Sequence, residues 1–128
     1  MTRAEATSLL ALAREADFTG PETGRWIERL SPERERLVEA VLFLAEHGDD
    51  EEASELAAGV WRLWLVSGDV AAGRRLLAAA LDGREGRPSR ARALALYGDG
   101  LLAFRQGAQD ESRSRNEAAL DSARARGR

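Results

Sequence analysis

The chain has 128 residues, 44% of them hydrophobic and 32% charged, with a formal net charge of −3; this suits one compact domain burying roughly two-thirds of its unfolded surface. The absence of cysteine excludes a disulfide framework, a thiolate zinc site and a cysteine nucleophile. All 19 basic residues are arginine, which excludes lysine chemistry and a lysine-bearing phosphate loop.

Pro, Gly and Asp punctuate the chain, and between them apolar residues recur at three and four rather than two, so every segment reads as helix. The first runs from Arg3 to Ala16, with Ala6, Leu9, Leu10 and Ala13 on one stripe, and "DFTGPETG" breaks it. A short second helix spans about Pro21 to Leu30, with Trp26, Ile27 and Leu30 along one edge. Ser31 is expected to N-cap a third helix, with Pro32 at its first position and His47 at its end. Its apolar residues, Leu37, Val38, Val41, Leu42, Leu44 and Ala45, cover more than one narrow stripe.

Gly48 suits a left-handed helix end, and Asp49 with Glu52 suits the cap of a fourth helix from about Asp50 to Val66. Two apolar stripes mark it, Ala53, Leu56, Ala57, Val60 and Trp64 on one and Ala58, Trp61 and Leu65 on the other. A helix apolar on two sides has neighbours on two sides, and Trp61 either wedges two helices apart or reaches the opposite neighbour. Gly68-Asp69 opens a fifth helix to about Leu81, with Leu76, Leu77, Ala80 and Leu81 facing inward. "DGREGRPS" is the candidate flexible connection, and Pro88 restarts the helix. The sixth helix, Pro88 to Gln106, is expected to bury Leu94, Tyr97, Leu101 and Phe104 on one stripe, with Leu96, Gly100 and Ala103 beside it. Gly107 ends it, and a seventh helix from about Gln109 to Arg126 carries one thin stripe of Ala118, Ala119, Leu120 and Ala123, as a terminal cap does.

The pattern predicts an all-α antiparallel array of helical hairpins, about seven helices, in one domain over residues 1–128: N-terminal helices in 1–31, central helices in 32–82 and a C-terminal hairpin and cap in 88–126. The N-terminal stretch lacks the apolar core of a signal peptide. The longest apolar run, Leu76 to Leu81, is far short of the roughly 20 residues that span a membrane. The expectation is a cytoplasmic protein without a membrane segment.

Little in the sequence points to chemistry. His47, the only histidine, is placed at a helix end, where an imidazolium meets the carboxyl dipole. The run Asp49 to Glu52 reads as a helix N-terminus rather than a cation site, because consecutive acids on a helix diverge. No metal site, cofactor or catalytic constellation emerges, and the chain reads as a non-enzyme. Arg84, Arg87, Arg90 and Arg92, with Arg113, Arg115, Arg124, Arg126 and Arg128, are the nucleic-acid candidates. The acidic net charge, the lack of a recognition helix and the lack of aromatics among these arginines argue against that partner. Charge is nevertheless uneven: residues 1–60 hold 14 acids and 6 arginines, about −8, and residues 61–128 hold 8 acids and 13 arginines, about +5.

Val60, Trp61 and Trp64, the turn at Gly68 and Asp69, and then Gly73, Leu77, Ala80 and Leu81 follow the pattern of a helix-turn-helix unit that resembles the tetratricopeptide repeat family. A second unit, Leu96, Gly100, Ala103, Gly107, Ala119 and Leu120, follows less closely, with Ser112 at a place usually small and Asn116 at one usually large and apolar. "WIERLSPERERLVEAVLFLAEHGD", "LAAGVWRLWLVSGDVAAGRRLLAAAL" and "RARALALYGDGLLAFRQG" also resemble the helical-repeat region of large bacterial ATPase-type transcriptional regulators. The nucleotide-binding and helix-turn-helix modules of those regulators are absent from this sequence, so only their sensor or docking arm carries over. The resemblance implies a right-handed solenoid whose inner side holds a peptide or a partner helix. Arg62, Leu65, Tyr97, Leu101 and Arg105 are the candidates for that face, the arginines for clamping carboxylates; ordinary packing and solvated rim are the alternative for these residues. A homo-oligomer joining the acidic half to the basic half, and an all-helical pocket for a small apolar ligand, are the other readings.

Overall fold

The computed structural model describes residues 1–82 and 88–126, so most of the "DGREGRPS" connection, with Arg84 and Arg87, lies outside the described residues. These residues form α1 (Arg3–Glu15), α2 (Thr23–Leu30), one 3-10 turn (Ser31–Glu33), α3 (Arg34–Glu46), α4 (Asp50–Val60), α5 (Arg62–Ser67), α6 (Val70–Leu81), α7 (Arg90–Arg105) and α8 (Gln109–Arg126), with no strand among them. The expected fourth helix is divided at Trp61, which makes eight α-helices among the described residues where about seven are expected. Trp61 keeps helical dihedrals (φ −60°, ψ −27°), but the Trp64 N–H bonds the Trp61 carbonyl at 3.1 Å, three residues back rather than four.

Thr2, Asp69 and Ser89 cap α1, α6 and α7, their side chains accepting from the N–H of Glu5, Ala72 and Arg92. Ser31 does not N-cap α3. Its backbone is helical (φ −54°, ψ −42°), and its hydroxyl donates to the Ile27 carbonyl at 2.6 Å, so it closes α2 while Pro32 sits in the 3-10 turn. Asp49 makes no side-chain cap bond either; its carboxylate accepts from Arg3 at 3.2 Å and ties α4 to the start of α1. Gly48, Gly68 and Gly107 end α3, α5 and α7 at φ of 77°, 84° and 81°, where a side chain would be strained.

α1, α3, α4, α6, α7 and α8 pack together. The principal contacts join α1 to α3 and α4, α3 to α4 and α6, α4 to α6 and α7, α6 to α7, and α7 to α8, while α5 lies on α6. Leu9, Leu10, Leu37, Leu44, Leu56, Leu63, Leu76, Leu77, Leu81 and Leu102 form the apolar centre with Trp61 and Trp64. The stripes expected for α1 and α6 are buried as read. Leu42 of α3 is instead exposed, and the thin stripe of α8 is largely turned out, with Leu120 and Ala123 exposed and Ala118 and Ala119 half-buried. α7 departs furthest: Leu94, Tyr97 and Phe104 are exposed and Leu101 half-buried, while Ala95, Leu96, Gly98, Asp99, Gly100, Leu102 and Ala103 face inward.

Candidate partner-binding face

Trp61 organises the surface between α4–α5 and α7. Its side chain is 2% exposed and lies on Gly98 so closely that an added Cβ there would stand 2.6 Å from the indole Nε1. Trp61 therefore reaches α7 rather than wedging the helices apart. Tyr97 meets the indole edge-on with ring centroids 6.4 Å apart, and the Arg62 guanidinium carbon lies 4.5 Å from the ring centroid, a cation–π contact. Arg62 and Tyr97 are thus brought together through the tryptophan. Leu65 and Leu101 lie one turn further along α5 and α7, half-buried against the core. Arg105 is exposed a further turn along α7 and makes no ion pair among the described residues.

Upstream, the same seam opens into a groove of about 460 Å³ between α1, α4 and α7. Ala13 and Arg14 form one wall, Glu51, Glu55 and Ala58 the floor, and Arg90 and Leu94 the other wall. Ala58, Arg62 and Leu65 fall at successive helical spacings, as do Leu94, Tyr97, Leu101 and Arg105, so the groove and the expected face are one continuous strip. Across its floor Arg14 Nε and Nη2 donate to both oxygens of Glu55 at 2.6 and 2.9 Å. That bidentate bond holds the Glu55 carboxyl below its ordinary value and raises the Arg14 guanidinium above its own.

A second polar centre lies at the α6–α7–α8 junction and was not among the expected sites. Asp99, 1% exposed, accepts from Arg74 Nε at 3.1 Å and from Arg115 Nε at 2.8 Å. Arg74 also reaches Glu111 at 2.7 Å, and Arg115 reaches Asp82. Burial works against the charge of both guanidiniums, yet the hydrogen bonds and attraction of these carboxylates outweigh it and raise both pKa values. The flanking glycines admit the neighbours, Gly98 taking Trp61 and Gly100 taking Asn116. An acid between two glycines inside an apolar run was the available signal for this centre.

His47 follows α3, its ring stacked on Phe43 at 4.0 Å and its Nδ1 2.8 Å from the Phe43 carbonyl. Among the described residues, no group of His, Cys, Asp and Glu is placed to hold a metal ion, and no helix is long and apolar enough to cross a membrane. Of the arginines considered for nucleic acid, Arg115 is bound to Asp99 and Asp82 and Arg90 stands at the groove wall, while Arg84, Arg87, Arg128 and the Arg126 side chain lie outside the described residues. Compared with known proteins, the chain matches no family model, no curated protein and no solved structure.

Proposed function

We propose that the chain is a non-enzymatic protein-interaction module, a tetratricopeptide-like right-handed array of antiparallel hairpins that holds a peptide or partner helix along the α1–α4–α7 strip. The array reading is supported by the packing order, in which each of the six packed helices meets chiefly those one and two places along the chain. Burial supports it too, since Leu37, Ala40, Val41, Leu44 and Ala45 of α3 recur 36 residues later as Gly73, Leu76, Leu77, Ala80 and Leu81 of α6. Each such unit buries its apolar face only by stacking on its neighbours.

The observation that carries the binding reading is the continuity of the groove with the Arg62–Tyr97 pair and Arg105. A strip with half-buried leucines along it and guanidiniums beside it accepts an extended or helical segment bearing carboxylates. The groove is open and has four charged residues in its lining, Arg14, Glu51, Glu55 and Arg90, which favours a peptide over the small apolar ligand.

Peptides selected from a random display library against the purified chain test this. Binders rich in acidic residues are expected, and Arg62→Ala or Arg105→Ala should weaken them about tenfold or more, the loss of a charge-assisted hydrogen bond, while Arg124→Ala leaves them unchanged. Undiminished binding to both groove variants would refute the assignment.

A further inference from the structure

The two arginines on Asp99 have donors to spare. Asp99, between two glycines on the inner side of α7, draws one guanidinium from α6 and one from α8, and each gives it only the Nε–H: Arg74 at 3.1 Å to one oxygen, Arg115 at 2.8 Å to the other. Both stems are held there, with the Nη groups beyond them. Arg74 Nη1 goes on to Gln106 at 3.1 Å and Glu111 at 2.7 Å, and Arg115 Nη2 to Asp82. Arg74 Nη2 and Arg115 Nη1 make no hydrogen bond among the described residues. Arg75, next to Arg74 in α6 and exposed, pairs with no carboxylate among the described residues.

These three arginines line one recess of about 200 Å³ with Ala78, Asp82 and Asp99. Asp99 offsets one of the three positive charges from within. The other two face only Asp82 and Glu111, whose side chains are 58% and 61% exposed and reach in through a single oxygen each. Exposed pairs of that kind contribute little, and both side chains can turn away to water. A further carboxylate would bring no more than these two already supply. A phosphate group carries nearly two negative charges and three strong acceptor oxygens on one centre, so it can replace both carboxylates and also take the unused Nη donors, in the bidentate manner that guanidiniums offer. The small recess suits the phosphate group alone, with whatever carries it left outside.

We propose that the α6–α7–α8 junction binds a doubly charged phosphate group, free or esterified, between Arg74 and Arg115 with Arg75 at the rim. Asp99 is the positioning residue for the first two. The site shares no residue with the α1–α4–α7 strip and needs neither the array nor the peptide reading, so each can fail without the other.

Inorganic phosphate titrated into the full chain, with the arginine Nε–H resonances followed by NMR, tests this. The Arg74 and Arg115 signals should shift and saturate, and sodium chloride at the same ionic strength should leave them in place, since both salts screen alike. Arg75→Ala, at an exposed position, should weaken binding about tenfold, the loss of a charge-assisted hydrogen bond, with melting unchanged. Asp82→Asn combined with Glu111→Gln should instead tighten it about tenfold by removing the competing carboxylates, a gain that a purely structural ion network does not give. A phosphoserine peptide with no other charged side chain separates the two sources: affinity about tenfold or more above that of inorganic phosphate identifies a phosphorylated chain as the ligand, and parity or less identifies the free ion. Signals that move with neither form, signals that move equally with chloride, or variants that bind like the parent would each overturn the assignment.

Discussion

Replacing Gly98 by alanine sets two opposing effects against each other. In a helix interior the change stabilises by about 0.5–1 kcal/mol, because glycine loses more backbone freedom on folding. At Gly98 the added Cβ would stand 2.6, 2.7 and 2.9 Å from three atoms of the Trp61 indole, and that ring, 2% exposed, is too rigid and enclosed to swing away. Overpacking of this kind costs about 1–3 kcal/mol, so Gly98→Ala is expected to lose about 1–2 kcal/mol in all. Gly59→Ala is the internal control: its nearest neighbours, the carbonyl oxygen and Cβ of Ala13, are at 3.5 and 3.6 Å, ordinary contact. There the propensity gain survives, at about 0.5 kcal/mol or more. Urea unfolding followed by circular dichroism gives both values, and midpoints should move in opposite directions at unchanged slope. Gly98→Ala as stable as Gly59→Ala would mean that Trp61 does not lie on α7, and the geometry of the strip would fall with it.

Asp99→Asn should cost about 3 kcal/mol by leaving two partly buried guanidiniums short of their shared carboxylate. Asp82→Asn, whose side chain is 58% exposed, should cost under about 1 kcal/mol; equal losses in thermal melts would contradict the burial difference. Glu55→Gln should cost under about 1 kcal/mol at neutral pH, the pair with Arg14 being partly exposed. Because the folded Glu55 pKa is depressed below 4.5, that contribution is present above the ordinary value and is lost as pH falls through the folded one. Parent and variant should therefore converge in acid, and a gap that persists there would show that the difference is not ionic.

Where one face of a helix is large and apolar and the rest polar, the sequence reading places it correctly, as with Ala6, Leu9, Leu10 and Ala13 of α1 or Leu76, Leu77, Ala80 and Leu81 of α6. Gly48, Gly68 and Gly107 were legible for a related reason, since only glycine sits comfortably at their dihedrals. Capping was less so: Asp49 and Asp69 follow the same kind of glycine turn, yet only Asp69 caps its helix, because Arg3, 46 residues away, draws off the Asp49 carboxylate. No local pattern contains that competitor.

α7 shows where apolar periodicity misleads. Two of its faces repeat at helical spacing, and the larger, Leu94, Tyr97, Leu101 and Phe104, looks like the core. A helix flanked closely on both sides is, however, limited by volume more than by hydrophobicity. Trp61 on one side leaves no room at Gly98 for anything larger, and Asn116 and Arg115 crowd Gly100 on the other, so the bulky residues turn outward. The same crowding buries Asp99, and α6 and α8 each deliver an arginine to it. The outward turn then makes the candidate surface: Tyr97 joins Arg62 over Trp61, and Phe104 is left at a groove between α7 and α8. Both the strip and that groove thus follow from small residues winning the inside of α7.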